Sequence, residues 1–141
     1  MKNIVDAGSI TFFVNGLIEE QGWISHDDAK ILADDLEIQF REKFEKSHLS
    51  EFFQITSVKW QLGCILETFS FGIVASLLYK GIKDYPKFRD GLIALAKDFN
   101  SIYLYLKNKK SQHKVGIYRL QLSEEEEIAK ALEYNQRKIK D

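Results

Sequence analysis

Hydrophobic and polar positions change their period several times along this chain, and each change marks an element. Residues 9–14, SITFFV, are β-branched and aromatic and read as a strand. Asn15-Gly16 follows, the dipeptide best suited to a tight hairpin turn, with Leu17 and Ile18 opening a short return. Ser25 with Asp28 three positions on forms a capping-box-like start to a helix over 26–47. Its apolar stripe is Ala29, Leu32, Ala33, Leu36, Phe40 and Phe44.

The longest apolar passage covers 58–79. Its first part alternates, with Val58, Trp60, Leu62, Cys64 and Leu66 on one side, which predicts a strand over 52–67. From Phe69 apolar residues come nearly all round, including Phe71 and Leu78, and predict a buried helix over 69–82. An alternative places residues 62–79 in a bilayer. About 18 helical residues span roughly 27 Å, just short of a hydrocarbon core of about 30 Å. Lys59, Trp60, Tyr79 and Lys80 suit interfacial anchors, whereas Glu67 does not suit a span.

Pro86 breaks the pattern and suits the first turn of a new helix over 88–107. Phe88, Leu92, Leu95, Phe99, Ile102 and Leu106 recur at spacings of four and three, the signature of a heptad seam. A basic loop, KNKKSQHK, closes that helix, and VGIYRLQL at 115–122 reads as a further strand. Ser123 and Glu126 form a second capping box before a charged helix over 124–139 with a thin apolar stripe. The fold expected is α+β: a small antiparallel or mixed sheet with amphipathic helices. Residues 1–122 form one domain and 123–141 a charged helical appendage.

The 141 residues are 45% hydrophobic and 29% charged, which suits a folded domain. One cysteine, Cys64, permits no internal disulfide, and MKNIVDAGSI lacks the apolar core of a signal peptide. A cytoplasmic chain, or one facing the cytoplasm at a membrane, is the expectation. The net charge of −1 hides an asymmetry: residues 1–60 carry −5 and residues 80–122 carry +7. Lys80, Lys83, Lys87 and Arg89, mixed with Tyr85 and Phe88, form a basic surface candidate. The acidic first third opposes nucleic-acid phosphates, so nucleic acid is an unlikely partner.

Chemistry-bearing constellations do not emerge. Glycines never cluster into a phosphate loop, and His26, His48 and His113 are dispersed without a neighbouring cysteine, so neither cofactor nor metal is expected. Glu67, an acid inside the apolar passage, is the one candidate functional carboxylate. The sequence therefore points to a non-enzymatic assembly module. It is expected to self-associate or bind a protein partner through the central helix and the heptad seam. The membrane-anchored reading stands as the alternative.

Overall fold

The computed structural model describes residues 4–15, 18–19, 22–62, 65–74 and 82–140, with no side-chain description at 18–19, 22–23, 82 and 135–140. Five antiparallel strands form the main sheet in the order β4-β5-β1-β7-β6. They are β1 (Ile4–Val14), β4 (Phe53–Gln61), β5 (Leu66–Val74), β6 (Tyr103–Leu106) and β7 (Ser111–Leu122). A two-stranded ladder, β2 (Ile18–Glu19) with β3 (Gly22–Trp23), follows β1. Three helices complete the described chain: α1 (His26–Lys46), α2 (Tyr85–Asp98) and α3 (Glu125–Lys140). The α+β class expected from the pattern is the one observed.

One core lies between the sheet and the helices. Phe12 of β1, Phe69 and Phe71 of β5, Phe40 of α1 and Phe99 after α2 are all buried. Phe40 is the hub, stacked on Phe69 at 4.3 Å between centroids and tilted against Phe99 at 5.2 Å and Phe12 at 5.7 Å. Such aromatic pairs add to plain area burial. Ile128 and Leu132 of α3 join the same cluster, so residues of the charged C-terminal helix contribute to the domain core.

The predicted helix over 69–82 is corrected at its start. Residues 66–74 are strand β5, bonded to β4 on one side and β1 on the other. Within it Glu67, Phe69, Phe71 and Ile73 point into the core, while Thr68 and Ser70 alternate with them. Leu66, Gly72 and Val74 are apolar or small at outward positions as well, which blurs the alternation and imitates a buried helix. The predicted single strand over 52–67 is likewise two strands, with a turn between Gln61 and Leu66 in which Ile65 takes a positive φ of 39°. Residues 75–81, including Leu78 and Lys80, lie outside the described residues, as does Cys64. The central passage is therefore no helical span over 66–74, and no helix among the described residues is long and apolar enough to cross a membrane.

The predicted helix over 88–107 starts earlier and ends sooner. Tyr85 and Pro86 form the first turn of α2, and Phe99 caps it. Asn100 then accepts a hydrogen bond from the Ile117 N–H at 2.8 Å, and the Ile102 carbonyl accepts from Val115, tying the chain to β7. Beyond it Tyr103-Leu104-Tyr105-Leu106 alternates out and in as edge strand β6.

Three strands carry a bulge. The register shifts between Asp6 and Gly8 in β1, between Ile55 and Ser57 in β4, and opposite Thr11 and Phe12 in β7. Each extra residue exchanges the inward and outward parity of the rest of its strand and sharpens the local bend. So Val5 and Ala7 face inward before the first shift, and Ile10, Phe12 and Val14 after it.

Candidate interaction surface

All six seam residues pack into or against the chain's own core. Leu92, Leu95, Phe99 and Leu106 are buried, and Phe88 and Ile102 pack against them partly buried. Phe88 stacks on Phe52 at 4.4 Å with an interplanar angle of 7°. Ile102 and Leu106 are not on α2 at all, so the regular spacing joins a helix to a strand. Phe71 is likewise interior. The basic candidates are scattered: Lys83 and Lys87 are exposed, while Arg89 is ion-paired to Glu124 at 2.8 Å and bridges α2 to the start of α3.

Glu67 is almost fully buried on the helix-covered face, and its Oε1 has no hydrogen-bond partner among the described residues. Loss of water, with repulsion from Glu37 and Asp34 of α1, pushes its carboxyl up to about 9. It is held neutral in a mainly apolar environment.

A second polar knot joins the start of α1 to the β6–β7 turn. Asp28, buried, accepts from the Asn108 amide at 2.9 Å and pairs with Lys109 at 3.3 Å. The Asn108 hydrogen bond leads the interactions that hold its carboxyl below the usual range. Nearby in sequence, buried His113 bonds the Asn15 carbonyl through Nδ1 at 3.1 Å. The carbonyl can only accept, so Nδ1 carries a proton, and Nε2 shares a hydrogen bond with the Ser111 hydroxyl at 2.9 Å. Each of these groups is satisfied by its neighbours and closes one end of the sheet.

The opposite face of the sheet has a different character. A groove of about 500 Å³ is lined there by Thr11 of β1, Lys59 and Gln61 of β4, and Leu66, Thr68 and Ser70 of β5. Tyr118 and Arg119 of β7 complete it. Thr11 and Thr68 share a hydrogen bond at 2.9 Å, and the Arg119 guanidinium lies 5.4 Å from the centre of the Tyr118 ring. Alongside, Tyr103 and Tyr105 of β6 are about half exposed, and Lys114 faces Tyr103 across the β6–β7 ladder. Gly116 leaves room for the Phe13 ring, against which any Cβ there would lie at 2.5 Å.

Lys59, Lys114 and Arg119 have no ion-pair partner among the described residues. Asp6 is the one carboxylate at an outward position of this sheet among the described residues, and it is engaged with the Gly8 N–H at 2.9 Å. The face is thus cationic, hydroxyl-rich and aromatic. The sheet's two edges are guarded: β4 carries a bulge and Lys59, and β6 is only four residues long. Apart from the Tyr118-Arg119 pair, no two of these groove residues are adjacent in sequence. Their signal in sequence is the outward half of the strand alternation, as in Thr68 and Ser70 between phenylalanines. No protein family, characterised protein or solved structure matches this chain.

Proposed function

We propose that the chain is a non-enzymatic protein-interaction module whose working surface is the helix-free face of the sheet. Its partner presents an acidic, partly apolar polypeptide surface. The observation that carries this reading is a set of three cations on one face, Lys59 and Arg119 lining the groove with Tyr118, and Lys114 opposite the exposed Tyr103, all lacking carboxylate partners among the described residues. Tyrosine and arginine are residues that interfaces concentrate, since each joins a large contact area to hydrogen-bonding groups. Guarded edges favour recognition through the face over strand addition. The acidic helix surfaces elsewhere on the molecule oppose phosphate backbones, which favours a protein partner over nucleic acid. A reducing, cytoplasmic setting suits a chain with one cysteine.

The test is binding of a fluorescein-labelled helical peptide of alternating leucine and glutamate clusters, followed by anisotropy. Binding is expected to weaken as salt rises and to vanish in the double variant Lys59→Glu/Arg119→Glu. Absence of binding to the unaltered protein, or equal binding by the double variant, overturns the reading.

A further inference from the structure

The surface complementary to that face is present on the same chain. At about 100° per residue, α1 turns Asp27, Ile31, Asp34, Ile38, Glu42 and Glu45 onto one outward stripe. Ile31 is 50% exposed and Ile38 64% exposed, two of the largest apolar side chains left in water. Asp27, Asp34 and Glu45 have no ion-pair partner among the described residues. The inner stripe of α1 is already spent on the core, and of the outer stripe's carboxylates only Glu42 is ion-paired among the described residues, to the exposed Lys46 one turn on. An isolated exposed isoleucine is ordinary, but two of them seven residues apart, framed by four carboxylates, make a second amphipathic face.

Resting on the reading above, the geometry points to a second copy of this chain as the occupant of the groove face, docking through the outer stripe of α1. Charges match: carboxylates of the stripe meet Lys59, Lys114 and Arg119, while Ile31 and Ile38 meet the exposed tyrosines and Leu66. Dimensions match as well. The 21 residues of α1 extend roughly 31 Å, and five strands spaced by about 4.8 Å are roughly 19 Å wide, so one helix crosses the whole face. The contact joins two different surfaces and is heterologous. Each subunit keeps one donor helix and one acceptor sheet, which produces a ring or an open series of subunits.

Two variants separate the halves of the contact. Lys59→Glu/Arg119→Glu spoils the acceptor and leaves the donor, whereas Ile31→Lys/Ile38→Lys spoils the donor and leaves the acceptor. By light scattering after size exclusion, the unaltered protein is expected to gain mass with concentration beyond a dimer. Each variant alone is expected to run as a monomer. Their equimolar mixture is expected to run as a dimer and no larger, because one compatible contact remains. Circular dichroism showing native helix content in both variants keeps a monomer result meaningful.

A monomeric unaltered protein at every concentration, assembly by either variant alone, or a mixture that stays monomeric overturns the second-copy occupant. The peptide experiment distinguishes that failure from failure of the wider reading. If the leucine–glutamate peptide still binds in a manner dependent on Lys59 and Arg119, the groove face serves a different protein. If it does not bind, both fall.

Discussion

Glu67 stands directly opposite Trp60 across the β4–β5 ladder and beside Phe12 of β1, with its carboxyl turned to the helix-covered side of the sheet. Its affinity for a proton is raised from 4.5 to about 9, first by burial and then by Glu37 and Asp34. The folded chain therefore keeps a proton that the unfolded chain releases between those values. Stability is greatest below the lower value and falls as pH rises toward the upper one, with roughly 3 kcal/mol lost by pH 7. Urea midpoints recorded from pH 5 to 9 are expected to decline, and Glu67→Gln to remove most of this decline. An unchanged slope in the variant counts against a buried neutral Glu67.

Asp28 behaves in the opposite sense. Its proton affinity is lowered from 3.8, chiefly by the Asn108 hydrogen bond, so the stability it lends is present above that value and is lost as pH falls below it. Asp28→Ala is expected to remove the Asn108 hydrogen bond and the Lys109 ion pair that tie the β6–β7 turn to the start of α1. Faster amide hydrogen exchange at 107–111, with α2 unaffected, is the readout.

Gly8 takes a φ of 110° at the β1 bulge, and a Cβ there would lie 2.1 Å from the Gln121 carbonyl oxygen. Gly8→Ala combines a disfavoured backbone conformation with a clash against backbone that cannot turn away. A loss of roughly 3 kcal/mol is expected, seen as a melting temperature lower by something on the order of 10 °C.

Phe99 discriminates an interior residue from a docking residue. Its ring lies 5.9 Å from Phe12 and 5.2 Å from Phe40, and it is 1% exposed. Phe99→Ala is expected to cost about 3–5 kcal/mol of folding stability. Under conditions where the variant remains folded, its assembly state by light scattering is expected to match that of the unaltered protein.

The helix α1 was legible because its cap and stripe are local: Ser25 accepts from the Asp28 N–H at 3.2 Å, and the predicted apolar positions are buried. β5 is hard to read because its outward positions include Leu66, Gly72 and Val74 beside the inward Phe69, Phe71 and Ile73, which erases much of the contrast on which periodicity depends. The weak Thr68-Ser70-Gly72 alternation was its remaining mark. The seam misled for a related reason. Phe88, Leu92, Leu95 and Phe99 are genuine positions of one helix and its cap, but Ile102 and Leu106 continued the spacing by coincidence after the chain had turned. The groove has no local mark in the sequence since its residues come from four strands, and ordinary Thr, Ser, Gln and Lys acquire meaning only once the topology gathers them.

The register shift at Thr56 makes β4 a message written in two reading frames. Removing that single residue would set Ser57 directly after Ile55 and make the ladder regular, with Val58 and Trp60 still on the core side and Lys59 still outward. Only the local bend would go. Excising a paired neighbour such as Val58 would instead carry Lys59 into the phenylalanine cluster and Trp60 into water, so deletions two residues apart in this strand should differ sharply, mild at Thr56 and ruinous at Val58.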